Sequence, residues 1–119
     1  MINTKKRYAI VGTGGRATCF ARPLTNRVYD GAELVAICDV NSLRLQGFNA
    51  YMEAAIPAFT DFDRMVWETR PTHVVVCTPD HTHDDIIAQA FAHGLDAICE
   101  KPMATDAAKV RRIQELESQ

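Results

Sequence analysis

The stretch VGTGGRA, residues 11–17, determines the fold of this chain. It follows a short apolar run, YAIV at 8–11, and opens a segment long enough for a helix. Gly12 permits a tight turn out of a strand, Gly14 lets the backbone approach a pyrophosphate, and Ala17 keeps the helix close to the strand. The pattern is the G-x-G-x-x-A form of the dinucleotide fingerprint, in which helix N–H groups are aimed at phosphates.

Short apolar runs recur along the chain, with helix-length segments between them. They are rich in Val and Ile without apolar–polar alternation, which is typical of parallel strands buried on both faces. The runs occupy residues 8–11, 33–38, 73–77 and 96–100, with a weaker candidate at 57–59. This alternation predicts the α/β class, with a doubly wound parallel sheet of order 3-2-1-4-5 in a three-layer αβα arrangement.

Capping residues mark several of the intervening helices. Asn41, Asp61 and Thr105 can cap helix starts, and Gly94 can end a helix. Pro23 falls inside the first helix and predicts either a kink or a break there. The helix after Asn41 is expected to carry its apolar stripe on Leu43, Gly47, Ala50 and Tyr51.

Length and charge limit the classes of function. The chain has 119 residues, 47% of them hydrophobic and 24% charged, which predicts one domain over residues 1–119. The net charge of −2 gives no basic patch for nucleic acid or a membrane surface. The apolar run at 8–11 is too short for a signal peptide and no spanning segment follows, so we expect a cytoplasmic protein.

The four cysteines are Cys19, Cys38, Cys77 and Cys99, and they form no CxxC pair. Three of them end apolar runs, where a thiol packs as a small hydrophobic group. The spacing therefore predicts reduced cysteines rather than disulfides or a zinc site.

Asp39 follows the second apolar run at close to the spacing of about 20 residues that the fingerprint expects for the ribose-binding carboxylate. A carboxylate there repels the 2′-phosphate of NADP, and the nearest arginine is Arg44. The sequence therefore favours NAD and disfavours NADP. The alternative interpretation is a glycine turn followed by a solvated aspartate.

The stretch CTPDHTHDD, residues 77–85, resembles a metal-hydrolase motif because His81 and His83 form an H-x-H pair. A metal site needs at least three converging ligands. The remaining histidines are His73, expected at the opposite end of the sheet, and His93, expected about 15 Å away along the helix. The sequence therefore predicts no metal site.

The same stretch also suits a helix start beside the ligand crevice. Pro79 ends the strand, Asp80 or Thr82 can cap the helix, and Asp84 and Asp85 complement the helix dipole. Two interpretations remain for its histidines: solvated residues at a capped helix start, or contact with a cofactor or substrate.

Three motifs together, VGTGGRA at 11–17, CTPDHTH at 77–83 and EKP at 100–102, carry a resemblance over almost the whole chain. The chain resembles the N-terminal NAD(P)-binding domain of the glucose-fructose oxidoreductase/inositol dehydrogenase (Gfo/Idh/MocA) family. Asp80 departs from the family, which often has Asn there. The cofactor contacts implied by the resemblance are Gly12, Thr13, Gly14, Gly15, Arg16, Asp39, Thr78, Pro79, His83, Glu100, Lys101 and Pro102.

The resemblance also implies a catalytic residue. Glu100 and Lys101 would approach the nicotinamide, and Pro102 would fix the turn that presents them. The Lys101 ammonium can polarise a substrate hydroxyl or stabilise a developing alkoxide. The alternative is a surface lysine paired with Glu100.

The expected function is that of the cofactor half of an NAD-dependent oxidoreductase acting on CH–OH groups of a sugar, polyol or related small molecule. The resemblance implies a second, substrate-binding domain that this chain lacks, so the chain alone is expected to be inactive; homo-oligomers are compatible with it. A stand-alone nucleotide-binding or redox-sensing module is the alternative, and a metal-dependent hydrolase is a third.

Overall fold

The computed structural model describes residues 6–25, 31–79, 82–99 and 107–118. Strands and helices alternate strictly through this part of the chain. The strands are β1 (Lys6–Val11), β2 (Ala32–Cys38), β3 (Ala58–Phe59), β4 (His73–Val76) and β5 (Asp96–Cys99). The helices are α1 (Gly15–Thr25), α2 (Ser42–Met52), α3 (Phe62–Thr69), α4 (His83–Ala92) and α5 (Ala107–Glu117). Each predicted strand is present, including the weak candidate at 57–59.

The strands of the described residues form one parallel sheet in the order β3-β2-β1-β4-β5, which confirms the predicted topology. β1 lies at the centre, where Ala9 is paired with Ala36 of β2 on one side and Val74 of β4 on the other. Because all strands run the same way, their carboxyl ends meet at one edge, where doubly wound folds bind ligands.

Helices cover both faces of the sheet, so the predicted three-layer arrangement is confirmed. Ile10, Ile37 and Val75 point to the face that packs against α1 and α2. Val74 and Val76, with their neighbours on β1 and β2, point to the face covered by α3, α4 and α5. Each fully buried aliphatic side chain stabilises the fold by about 1.5–3 kcal/mol.

Two of the predicted helix caps are present. The Asn41 side-chain oxygen accepts hydrogen bonds from the backbone N–H of Leu43 at 2.9 Å and of Arg44 at 3.4 Å. Asp61 caps α3 in the same way. Gly94 follows the end of α4 with a φ of +75°, the left-handed conformation of a helix stop. The predicted cap Thr105 lies outside the described residues.

The predicted buried face of α2 is wrong. Leu43 and Tyr51 are 74% and 65% exposed, and Gly47 and Ala50 are exposed as well. Leu45 and Phe48 pack against the sheet instead. Apolar residues are spread around this helix, so its periodicity does not identify one buried face. Packing against β1 and β2 determines which face is buried.

Pro23 does not split α1, which continues through it to Thr25. The proline lies in the last turn, where the loss of one N–H donor interrupts little of the helical hydrogen bonding. In the described part of the chain, no helix combines the length and apolar character that crossing a membrane requires.

Candidate functional site

Gly12 makes the turn out of β1 and brings the following loop against the end of β4. Its φ is +93°, and a Cβ there would lie 2.7 Å from the carbonyl carbon and oxygen of Cys77 and 2.8 Å from the nitrogen of Thr78. Its own N–H donates to the Cys38 carbonyl at 2.8 Å. The fold therefore requires glycine at this position for both conformation and space.

Gly14 and Gly15 are glycines for a different reason. Among the described residues, a Cβ at either position would meet no atom within 4 Å. Both are exposed beside Arg16, and α1 begins at Gly15. The first turn of α1 therefore presents backbone N–H groups and the positive end of a helix dipole on an open surface, an arrangement that suits a phosphate.

Asp39 lies directly after β2 and joins the two loops at the crevice. Its Oδ2 accepts hydrogen bonds from the Thr13 backbone N–H at 3.0 Å and hydroxyl at 2.8 Å, and its Oδ1 accepts from the Asn41 N–H at 3.0 Å. Burial disfavours the ionised form, but these hydrogen bonds and the charge of Arg44 outweigh it and hold the pKa of Asp39 below its ordinary value. Asp39 is therefore an ionised acceptor at neutral pH.

Six of the predicted cofactor residues line one crevice of about 910 Å³ at the carboxyl edge of the sheet. Such a volume is in the range of small-molecule sites. Carboxyl ends of neighbouring strands and one face of α4 form its walls. The six residues are Gly12, Thr13, Gly14, Asp39, Thr78 and Pro79.

Other residues of this crevice were not predicted from the sequence. Val40, 93% exposed, follows Asp39 at the mouth. Thr60 and Asp61 contribute from the loop after β3, and Gln89 contributes from α4. The loop after β3 could have been found from the strand order, since each carboxyl end faces the same edge. The face that α4 turns to the crevice follows only from its packing.

Cys38 closes β2 within the crevice wall. Burial, followed by the nearby carboxylates of Asp39 and Asp61, raises the pKa of its thiol to about 11. The thiol is therefore neutral at physiological pH and is not a nucleophile. None of the four cysteines, all of which the structure describes, is joined to another by a disulfide.

His83 begins α4 with its side chain buried, 1% exposed. Its Nε2 lies 2.9 Å from the Thr78 carbonyl oxygen, and its Nδ1 lies 3.1 Å from the Cys99 Sγ. The ring thus lies between the ends of β4 and β5, behind the crevice wall. A direct contact of this ring with the cofactor stays a prediction.

Thr82 stands before α4 but its side chain does not cap the helix. Its hydroxyl donates to the Pro79 carbonyl at 2.7 Å and is also hydrogen-bonded to the Thr78 hydroxyl, 2.6 Å away. The predicted capping by Thr82 is therefore wrong, because the hydroxyl closes the turn after β4 instead. The other candidate, Asp80, lies outside the described residues.

The acidic pair that follows is tied to α5. Asp84 is buried and its carboxylate lies 3.0 Å from Arg112 and 3.7 Å from Lys109. Asp85 lies 2.8 Å from the same arginine. Both carboxylates are in the first turn of α4, where they also complement the helix dipole.

The remaining histidines lie apart from these groups. His93 ends α4 with its Nε2 2.8 Å from Asp63, and His73 begins β4 with its Nδ1 2.7 Å from the Thr72 hydroxyl. His81 lies outside the described residues. Within the part of the chain that the structure describes, no three His, Cys, Asp or Glu side chains are grouped to hold a metal.

The predicted nicotinamide-side residues, Glu100, Lys101 and Pro102, also lie outside the described residues. β5 ends at Cys99, so these three positions follow directly on the strand end that His83 contacts. The catalytic role of Lys101 stays a prediction.

A parallel sheet of this order, with a glycine turn after the first strand and a carboxylate after the second, defines a Rossmann-type dinucleotide-binding domain. The chain belongs to the Gfo/Idh/MocA oxidoreductase family with an NAD-binding Rossmann fold, whose model matches residues 6–119. The predicted family, fold and NAD-binding character are confirmed.

Its relatives are dehydrogenases. The inositol 2-dehydrogenases of Arthrobacter sp. (strain FB24) and Cereibacter sphaeroides (strain ATCC 17029) are 31% and 34% identical over 111 residues, 93% of this chain. The chain spans 32% of the length of each, about a third.

Solved structures show the same relationship. The WlbA dehydrogenase from Bordetella pertussis, in complex with NADH and UDP-GlcNAcA, is 28% identical with a TM-score of 0.84, over 94% of this chain and 33% of that chain. The myo-inositol 2-dehydrogenase from Lactobacillus plantarum is 25% identical with a TM-score of 0.82, over 96% of this chain and 33% of that one.

Proposed function

We propose that this chain is the NAD-binding part of a dehydrogenase that oxidises a CH–OH group of a sugar, polyol or related small molecule. The observation that carries the proposal is the ionised Asp39 carboxylate, fixed in the crevice beside the Gly12 turn. Inositols are the first substrates to test, because the two sequence relatives described above are inositol 2-dehydrogenases.

The described residues fit such a cofactor. The exposed first turn of α1, with Gly14, Gly15 and Arg16, would bind the pyrophosphate through backbone N–H groups. The carboxylate of Asp39 has about four acceptor positions, and three of them accept internal hydrogen bonds, so one position on Oδ1 is left for a ribose hydroxyl. Thr78 and Pro79 would form the wall on the β4 side. The bound NAD supplies the hydride acceptor.

Lys101 is proposed as the catalytic residue. In the sequence it follows Cys99, the last residue of β5, by two positions. An amine there can hold the substrate hydroxyl and take or release its proton as the C–H hydride leaves. Glu100 and Pro102 would set the position of the lysine, with Glu100 also approaching the nicotinamide.

The remaining parts of the proposal concern the whole protein. The substrate would bind through a second domain, because the relatives are about three times as long as the matched segment. We also propose a cytoplasmic location, where the four reduced thiols persist. A homo-oligomer is compatible with the proposal, and neither nucleic acid nor a membrane is proposed as a partner.

Calorimetric titration with NAD⁺ and NADP⁺ tests the cofactor part of the proposal. We expect tighter binding of NAD⁺, because the Asp39 charge repels a 2′-phosphate. Asp39→Ala and Asp39→Asn should both reduce the difference between the NAD⁺ and NADP⁺ affinities. Each should weaken NAD⁺ binding by about ten-fold or more, the scale of one charge-assisted hydrogen bond.

Asp96→Ala is the matched control, because Asp96 is exposed at the opposite edge of the sheet. It should leave both affinities unchanged. Tighter binding of NADP⁺ by the wild type would refute the assignment. Saturable NAD⁺ binding without substrate turnover by the native protein would instead favour a nucleotide-sensing module.

A further inference from the structure

We propose that His83 is a positioning residue that joins the carboxyl ends of β4 and β5 and thereby fixes the Thr78 backbone in the cofactor wall. The proposal rests on the proposed function, since the position of that wall matters only if NAD binds beside it. It adds a role for a residue whose side chain is behind the crevice rather than in it.

The position of the ring supports this role. His83 is 1% exposed, and a buried imidazole needs partners for its two nitrogens. One nitrogen lies 2.9 Å from the carbonyl of Thr78, two residues beyond β4, and the other lies 3.1 Å from the Sγ of Cys99, the last residue of β5. A single ring thus contacts both strand ends.

The chemistry of these partners fixes the proton. A carbonyl oxygen only accepts, so Nε2 must carry the hydrogen that it donates to Thr78. In a neutral ring, Nδ1 is then an acceptor, and the Cys99 S–H donates to it. The two hydrogen bonds run in one direction, from Cys99 through His83 to Thr78, and this arrangement specifies one tautomer.

On the β4 side, the ring holds a peptide that the glycine turn also contacts. Gly12 packs against the Cys77–Thr78 peptide so closely that a Cβ would lie 2.7–2.8 Å from its atoms. The Thr78 hydroxyl is hydrogen-bonded to the Thr82 hydroxyl at 2.6 Å. A shift of the Thr78 backbone would therefore move the wall of the crevice and the support of the phosphate turn together.

On the β5 side, the ring connects β4 and β5 beyond the last residues that pair in the sheet. Val76 and Cys99 are the last register pair between β4 and β5. The His83 ring connects the two strand ends just past this pair, through Thr78 on the β4 side and Cys99 on the β5 side. It can therefore hold the cofactor wall at a fixed distance from the end of β5.

Two substitutions separate positioning from simple filling of space. His83→Gln can place an amide N–H near the position of Nε2 and so keep the donor to Thr78, whereas His83→Leu fills the space without hydrogen bonds. His93→Leu is the matched control, because His93 lies at the other end of the same helix and its ring contacts Asp63.

The first measurement uses NMR and needs no cofactor. Long-range ¹H–¹⁵N spectra of the wild type should show His83 protonated at Nε2, and protonation at Nδ1 alone would overturn the proposal. The Thr78 ¹³C carbonyl signal should stay in place in His83→Gln and move in His83→Leu. The Cys99 ¹³Cβ signal should move in both variants. If the Thr78 carbonyl signal stays in place in His83→Leu, the proposal is also overturned.

The second measurement is NAD⁺ affinity by calorimetry. We expect His83→Leu to weaken binding about ten-fold and His83→Gln to stay within about two-fold of wild type, as for loss and retention of one buried hydrogen bond. Equal losses in both variants, or none in His83→Leu, would overturn the positioning role. Absence of NAD⁺ binding in the wild type would refute the proposed function instead. The NMR measurement would still test the contacts of His83, because it needs no cofactor.

Discussion

At the scale of single residues, the glycines of the loop divide into two kinds. Gly12 is required by the protein, because its φ is positive and β4 backbone lies where a Cβ would be. Gly14 and Gly15 meet no such obstacle among the described residues. Their open surroundings are consistent with space kept for a ligand, so substitutions at the two kinds of position should have different effects.

Gly12→Ala should lower the free energy of unfolding by about 2–4 kcal/mol, since it combines backbone strain with a steric clash against Cys77. Urea denaturation followed by circular dichroism measures this loss. Gly47→Ala is the control, because it lies within α2 with open space around its Cβ. It should be neutral or stabilise by up to about 1 kcal/mol. Equal stability of Gly12→Ala and the wild type would contradict the steric argument.

The sequence predicted the residues that act locally and missed the long-range contacts. Gly12, Asp39 and Thr78 each follow a strand, so strand order alone places them at one edge. The role of His83 could not be predicted, because its partner Cys99 is 16 positions later and meets it only after β5 pairs with β4. Local periodicity predicts that His83 lies in the first turn of a helix. It does not predict which residues its ring contacts.

At the scale of elements, the cap of α2 stabilises the helix that follows Asp39. Asn41→Ala should lower the free energy of unfolding by about 1 kcal/mol, because the Leu43 and Arg44 N–H groups lose their acceptor. Asn41→Ser, which can still accept, should recover most of the loss. Thermal and urea unfolding of the three proteins measures both effects, and equal losses for Ala and Ser would show that capping is not the cause.

Buried residues were predicted well in the strands, where the apolar pattern has one interpretation, and poorly in α2. The buried strands carry Val and Ile on both faces, so their burial does not depend on choosing a face. In α2, the residues around Leu43 and those around Leu45 are both apolar. In the folded chain, Leu45 and Phe48 are the residues that pack with Ile10, Ile37 and Val75 of the sheet. This information is tertiary and cannot be read from the period of the helix.

At the scale of the whole molecule, we predict that the 119-residue chain binds NAD⁺ but does not turn over substrate. The phosphate turn, Asp39 and the β4 wall are within the chain, whereas alignment of a substrate hydroxyl would come from the proposed second domain. Such alignment can lower a barrier by roughly 7–11 kcal/mol. The test compares the rate of NADH formation by the 119-residue chain with that by the native protein, across a panel of inositols, polyols and sugars.

Comparable turnover by the short chain would mean that a complete active site lies within these residues. In an active native form, Lys101→Ala should lower kcat far more than it weakens NAD⁺ binding. An unchanged rate would remove Lys101 as the catalytic residue.

The central position of β1 has a consequence for how the cofactor site arises during synthesis. The Gly12 turn rests on the Cys77–Thr78 peptide, and Cys77 comes 65 positions after Gly12 in the sequence. At a ribosomal rate of about 5–20 residues per second, Cys77 is synthesised roughly 3–13 s after Gly12. During that interval a nascent β1–α1–β2 unit has the phosphate turn without the strand that braces it. Bound nucleotide would therefore favour only chains in which β4 has already been inserted beside β1.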